Sequence, residues 1–96
     1  MNGESAPQAG PVEVAIANKR GLHARASAKF VTIASSFDAE VTIAHDGNSV
    51  TGTSIMGLMM LAAGIGETIT ISATGREADA AVAKLVGLVM DKFGED

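Results

Sequence analysis

The apolar pattern of the chain predicts a two-layer α+β domain with the element order β-α-β-β-α-β-α. Three observations carry this reading. Several short stretches alternate apolar and polar residues, the period of a strand buried on one face. Between them the apolar spacing lengthens to that of amphipathic helices. Asp46-Gly47 supplies a two-residue hairpin turn, because both residues tolerate positive φ. Each predicted strand has one apolar face only, so the helices are expected to cover one side of the sheet and leave the other wet.

Residues 1–11 contain Gly, Ser, Pro and Gln and read as a flexible N-terminal tail, with the folded domain spanning 12–96. Val12, Val14 and Ile16 alternate with Glu13, Ala15 and Ala17 as a first strand, which Asn18-Lys19-Arg20-Gly21 ends as a loop. Ala26, Phe30, Val31, Ala34 and Phe37 form the stripe of a helix from Ala24 to about Ser36. Val41 and Ile43 belong to a second strand, and a short third one follows the turn over Ser49 to Thr51. The two-residue turn makes this pair antiparallel. Ser54 is placed to cap a second helix running through Ala62, with Ile55, Leu58 and Leu61 or Ala62 inward and Gly64 and Gly66 as its stop. Ile69 and Ile71 define a fourth strand within Glu67–Ala73. Thr74 and Glu77 have the spacing of a capping box, after which Ala78, Val82, Leu85, Val89 and Phe93 mark a long final helix.

With 96 residues there is room for one core, and 47% apolar content is enough to fill it. Aromatic residues make up 3% of the chain and the formal net charge is -4, which argues against a nucleic-acid binder built on basic grooves and stacking rings. The absence of cysteine excludes a disulfide framework, a thiol nucleophile and thiolate metal sites. No apolar run reaches the ~20 residues of a membrane span, and the first residues lack the basic start and apolar stretch of a secretory signal. The chain therefore reads as cytoplasmic, without membrane insertion.

His23 is the residue at which chemistry is most readily placed. It stands immediately before the first helix, after a glycine-containing loop and two residues ahead of Arg25. A helix start presents unpaired N–H groups and the positive end of the helix dipole, both suited to an anion. The same field disfavours a second proton on the imidazole and leaves a nitrogen free as nucleophile. A phosphoryl group on that nitrogen would lie near the helix amides and the Arg25 guanidinium. Taken alone, a histidine at a helix start is more often a cap or surface residue.

The stretch Asn18-Lys19-Arg20-Gly21-Leu22-His23-Ala24-Arg25-Ala26-Ser27-Ala28-Lys29-Phe30 resembles the phosphorylation-site segment of HPr, the histidine-containing phosphocarrier family of the bacterial phosphotransferase system. Thr53-Ser54-Ile55-Met56-Gly57-Leu58-Met59-Met60-Leu61 resembles the serine-site helix of the same family, and the likeness extends over residues 12 to 93. The resemblance implies an open-faced β-sandwich, a four-stranded antiparallel sheet under three helices. It implies that Nδ1 of His23 accepts a phosphoryl group derived from phosphoenolpyruvate through Enzyme I, and that an Enzyme IIA-type protein receives it. Arg25 then assists the phosphorylated state. Such a protein is a phosphoryl-transfer carrier with a covalent phosphohistidine intermediate rather than a stand-alone enzyme, and it needs no cofactor or metal. A monomer is expected.

Ala26 departs from the family, which usually has proline there; proline suits a first helical turn by its fixed φ and missing N–H. The Asn18-Lys19 loop and Phe37-Asp38-Ala39-Glu40-Val41 look closer to the nitrogen-related (NPr-type) branch than to sugar-uptake HPr, and Thr32 and Ser35 lack the basic character of some sugar-branch members. A regulatory relay is the expectation. Ser54 has two readings: a helix N-cap, and, implied by the family, a regulatory phosphorylation site for HPr kinase/phosphorylase. Because Leu58 and Leu61 already supply an inward row, some of Met56, Met59 and Met60 should be exposed as a soft docking surface; the family implies Ile55, Met56 and Met59 as partner contacts. His45 reads as a solvent-facing turn residue. The rival reading is a non-catalytic regulatory binding module on the same fold, using the Ser54–Leu61 helix as its contact surface. Such a module would need neither His23 nor Arg25.

Overall fold

The computed structural model describes residues 7–95. Four strands, β1 (Gln8–Ala15), β2 (Glu40–His45), β3 (Asn48–Thr51) and β4 (Thr68–Thr74), form one sheet in the order β1-β4-β2-β3, antiparallel at every pairing. Three helices, α1 (Ala24–Ala34), α2 (Ile55–Leu61) and α3 (Ala78–Met90), separate the strands in the predicted order. A short 3₁₀ turn over Lys92–Gly94 follows α3.

The sheet buries Val14, Val41, Ile43, Ile69 and Ile71 on one side, against Phe30 of α1, Leu58 and Leu61 of α2, and Leu85 and Val89 of α3. Alternation along β4 turns Thr68, Thr70 and Ser72 to the opposite face, which none of the described helices covers. The β2–β3 turn is the two-residue one expected: His45 pairs with Asn48, and Asp46 and Gly47 adopt φ of 51° and 83°.

Several local readings are corrected. The tail assigned to residues 1–11 falls partly outside the described residues, but Gln8–Pro11 belong to β1. The pairing with β4 shifts between Ala9 and Val12, so the alternation that starts at Val12 hides the strand's beginning. Gly10 sits at φ 78° with no space for a Cβ, which would lie 2.5 Å from the Ile71 carbonyl oxygen. Val12 faces Ile71 across the pair but lies on an edge strand and stays exposed. Helix α1 ends at Ala34, two residues early, and Phe37 packs on the core from the following turn.

The stop of α2 is provided by Ala62 in the left-handed conformation (φ 56°) and not by Gly64 or Gly66; Ala62 is exposed, as is Ile55, which was expected inward. The Thr74–Glu77 capping box is absent. Glu77 itself is the N-cap residue of α3, and its carboxylate accepts a hydrogen bond from the Asp38 backbone N–H instead, tying α3 to the entry of β2. Finally, α3 stops at Met90, three residues short of Phe93. Phe93 is still fully buried because the chain reverses through a left-handed turn.

Candidate functional site

The loop between β1 and α1 is held from three sides. Its Asn18 side chain is fully buried and donates from Nδ2 to the Gly21 carbonyl oxygen at 2.9 Å. Leu22 donates its N–H to the Ala63 carbonyl beyond α2, and Ser27 Oγ donates to the Leu22 carbonyl, both at 3.1 Å. Gly21 has φ 62°, and a Cβ there would lie 2.4 Å from the Ala63 oxygen, so this approach of two backbones requires glycine.

The loop delivers His23 as the N-cap residue of α1, in an extended conformation (φ -74°, ψ 179°). Its side chain does not cap the helix, and the carbonyl receives the first helical hydrogen bond from Ser27 N–H. No acidic residue occupies the first turn. The first-turn amides of α1 are therefore left without a side-chain cap, at the positive end of the helix dipole.

The imidazole points its Nε2 at Oε2 of Glu95, 2.5 Å away, with 12% of the His23 side chain and 22% of the Glu95 side chain exposed. The other carboxylate oxygen of Glu95 accepts from Asn18 Nδ2 at 3.1 Å. The hydrogen bond to His23 is the main cause that holds the Glu95 carboxyl below its ordinary range; the Asn18 bond and the charges of His23 and Arg20 act in the same direction against desolvation. An ionised carboxylate only accepts, so Nε2 carries the proton. In the neutral ring the lone pair is then on Nδ1.

Neither Glu95 nor Asn18 stands out in the sequence as a residue of the site. Asn18 reads as a loop residue in the sequence, and its burial and its bonds to Gly21 and Glu95 distinguish it from a solvent-facing turn asparagine. Glu95 is separated from His23 by 72 positions and comes close because Phe93 is buried and Lys29 Nζ of α1 donates to the Phe93 carbonyl at 2.7 Å. No periodicity announces such a contact.

Arg25 lies in the first turn of α1, exposed, and makes no hydrogen bond or ion pair with another described residue. Ala26 is fully buried one position further on. Ser54 caps α2 through Oγ, which accepts from Gly57 N–H at 2.9 Å. From that helix Leu58 and Leu61 turn inward while Ile55, Met56, Met59 and Met60 are exposed, an apolar surface on the element just ahead of Ala63, which anchors Leu22. His45 is less open than expected: Nδ1 lies 3.2 Å from the Thr68 carbonyl oxygen and Nε2 3.3 Å from Oε1 of Glu67. Among the described residues no group of three or more His, Asp or Glu side chains is arranged to hold a metal ion. None of the described helices is long and apolar enough to cross a membrane.

Residues 12–91 match the family model described as the HPr component phosphorylation site of the phosphotransferase system. The chain is 47% identical over 83 residues to the phosphocarrier protein NPr of Shewanella violacea, an alignment covering 86% of this chain and 91% of that one. It is 46% identical over 83 residues to the phosphocarrier protein HPr of Cupriavidus necator, covering 86% and 93%. Among solved structures, HPr-C-His from Thermoanaerobacter tengcongensis superposes with a TM-score of 0.85 at 39% identity, over 94% of this chain and 98% of the other.

Proposed function

Since the chain belongs to the HPr family of phosphocarrier proteins, we propose that His23 is its phosphoryl acceptor and that Nδ1 is the atom that bonds to phosphorus. The observation that carries this reading is the engagement of Nε2 by the Glu95 carboxylate, which leaves the lone pair on Nδ1 of a residue at a helix start. The open amides of the first turn of α1 stabilise the dianionic group once it is attached, and Arg25, with no described partner to release, swings onto a phosphate oxygen. The stabilisation has to be moderate, because a carrier must give up what it accepts.

The donor is an Enzyme I-type protein charged by phosphoenolpyruvate, and the recipient is an Enzyme IIA-type protein in the cytoplasm. Both dock on the exposed row of Ile55, Met56 and Met59, where the flexible thioethers of the two methionines adapt to more than one partner. The likeness to the Shewanella NPr supports a nitrogen-related regulatory relay. At Ser54 the cap is the observed role. A regulatory phosphate added there by an HPr kinase/phosphorylase would stand at the start of α2, whose first turn holds no acidic residue to repel it.

The test is incubation with an Enzyme I-type protein and phosphoenolpyruvate, followed by detection of acid-labile phosphate. Label on His23 that disappears in His23→Ala, with the fold retained by circular dichroism, is the expected result. Label persisting in that variant would remove His23 from the mechanism.

A further inference from the structure

The turn that brings Glu95 to His23 is held in an unfavourable conformation. Lys92, Phe93 and Gly94 have φ of 58°, 56° and 76°, three consecutive residues in the left-handed region, two of them not glycine. L-residues enter that region against steric crowding of the Cβ, and as single residues rather than in runs. Such a run persists only when its surroundings over-determine it. Here Phe93 is fully buried, Lys29 Nζ is bonded to the Phe93 carbonyl, and Glu95 N–H donates to the Lys92 carbonyl at 2.9 Å. Beyond the turn, the two carboxylate oxygens of Glu95 go to different partners, the buried Asn18 amide and the His23 ring. A carboxylate fixed at both oxygens, on a strained and anchored turn, against the reactive side chain is a built contact.

We propose that the Lys92–Gly94 turn is a latch that makes Glu95 a positioning residue of phosphotransfer, acting through the His23 ring. This inference rests on the assignment of His23 Nδ1 as acceptor. When the Nδ1 lone pair bonds to phosphorus, the bond from phosphorus to the donor breaks and its electron pair leaves with the donor. The proton on Nε2 stays, so the ring passes from neutral to imidazolium. The Glu95 carboxylate balances that charge without taking the proton, the part an acidic residue plays toward an imidazole in a catalytic triad. On delivery the sequence reverses: phosphorus leaves with the acceptor's electron pair, and the neutral Nε2–H tautomer is restored in place. Asn18 adds to the latch by keeping the carboxylate from rotating off the ring.

The experiment compares Glu95→Ala and Glu95→Gln with the wild-type full chain, after matched circular dichroism spectra. Two readouts are taken: ¹⁵N shifts of the His23 ring at about pH 8, above the ordinary histidine range, and the initial rate of Enzyme I-dependent labelling. Wild type is expected to show a single Nε2–H tautomer. Glu95→Ala gives a tautomer mixture and labels slower by roughly tenfold or more, the scale of losing a partner that orients a working histidine. Glu95→Gln retains an acceptor for Nε2–H but not the charge, and so keeps the tautomer while labelling slowly. In Glu95→Ala both changes are required. A wild-type ring spectrum, or a labelling rate within about twofold of wild type, overturns the latch even though wild type labels on His23. Failure of wild type to label on His23 overturns the acceptor assignment, and the latch with it.

Discussion

Glu95 gives up its proton more readily in the folded protein than in the unfolded chain, because the bond from His23, with the Asn18 amide and the charges of His23 and Arg20, favours its anion. Its folded pKa therefore lies below the ordinary value of 4.5. A depressed carboxyl stabilises the fold fully above the unfolded pKa and loses that contribution as pH falls through the folded one. The expected outcome is that wild type exceeds Glu95→Gln in unfolding free energy near neutral pH. The gap should close on acidification below about pH 4.5; urea titrations at several pH values measure it. A gap that widened in acid would contradict the ion-pair geometry. At this scale the sequence made His23 and Arg25 visible, because a helix start, a glycine loop and the family-like segment lie within one short stretch. Asn18 and Glu95 stayed hidden, since what makes each of them matter is a contact across the fold.

Helix ends carry most of the information at the level of elements. Ser54 was readable as a cap because the hydroxyl and the amide it serves are three residues apart, within the range of local pattern. The same rule misread Thr74 and Glu77, where Glu77 is claimed by the Asp38 backbone 39 residues away. The end of α2 departs from habit by placing Ala62 at φ 56°. A substitution that normally weakens a helix should here do the reverse. Ala62→Gly is expected to raise stability by roughly 0.5–1 kcal/mol, because glycine removes the Cβ strain of the left-handed position by more than it adds to unfolded-chain entropy. Thermal unfolding would show this as an increase of a few degrees for a domain of this size, and a decrease would mean that Ala62 is not strained.

For the molecule as a whole, one core joins all three helices to one face of the sheet, and Phe30 stands in it fully buried on the helix that carries His23 at its start. Phe30→Ala is expected to cost about 3–5 kcal/mol through lost burial and a residual cavity. That is a large part of the roughly 5–15 kcal/mol available to a typical domain. Denaturant titration should show the midpoint falling sharply, and a loss under about 1 kcal/mol would place Phe30 outside the core. The sequence by itself determined the element order, the faces that β2 and β4 bury, the hairpin turn and the helix that starts at His23. Each of these follows from apolar periodicity or turn chemistry within a few neighbouring residues. Only the tertiary structure decided that β1 begins at Gln8, that the chain reverses after Met90 to bury Phe93, and that Glu95 ends on His23. Those outcomes depend on long-range packing, in which burial and a lysine bond outweigh local backbone preference, and local preference is what a one-dimensional pattern records.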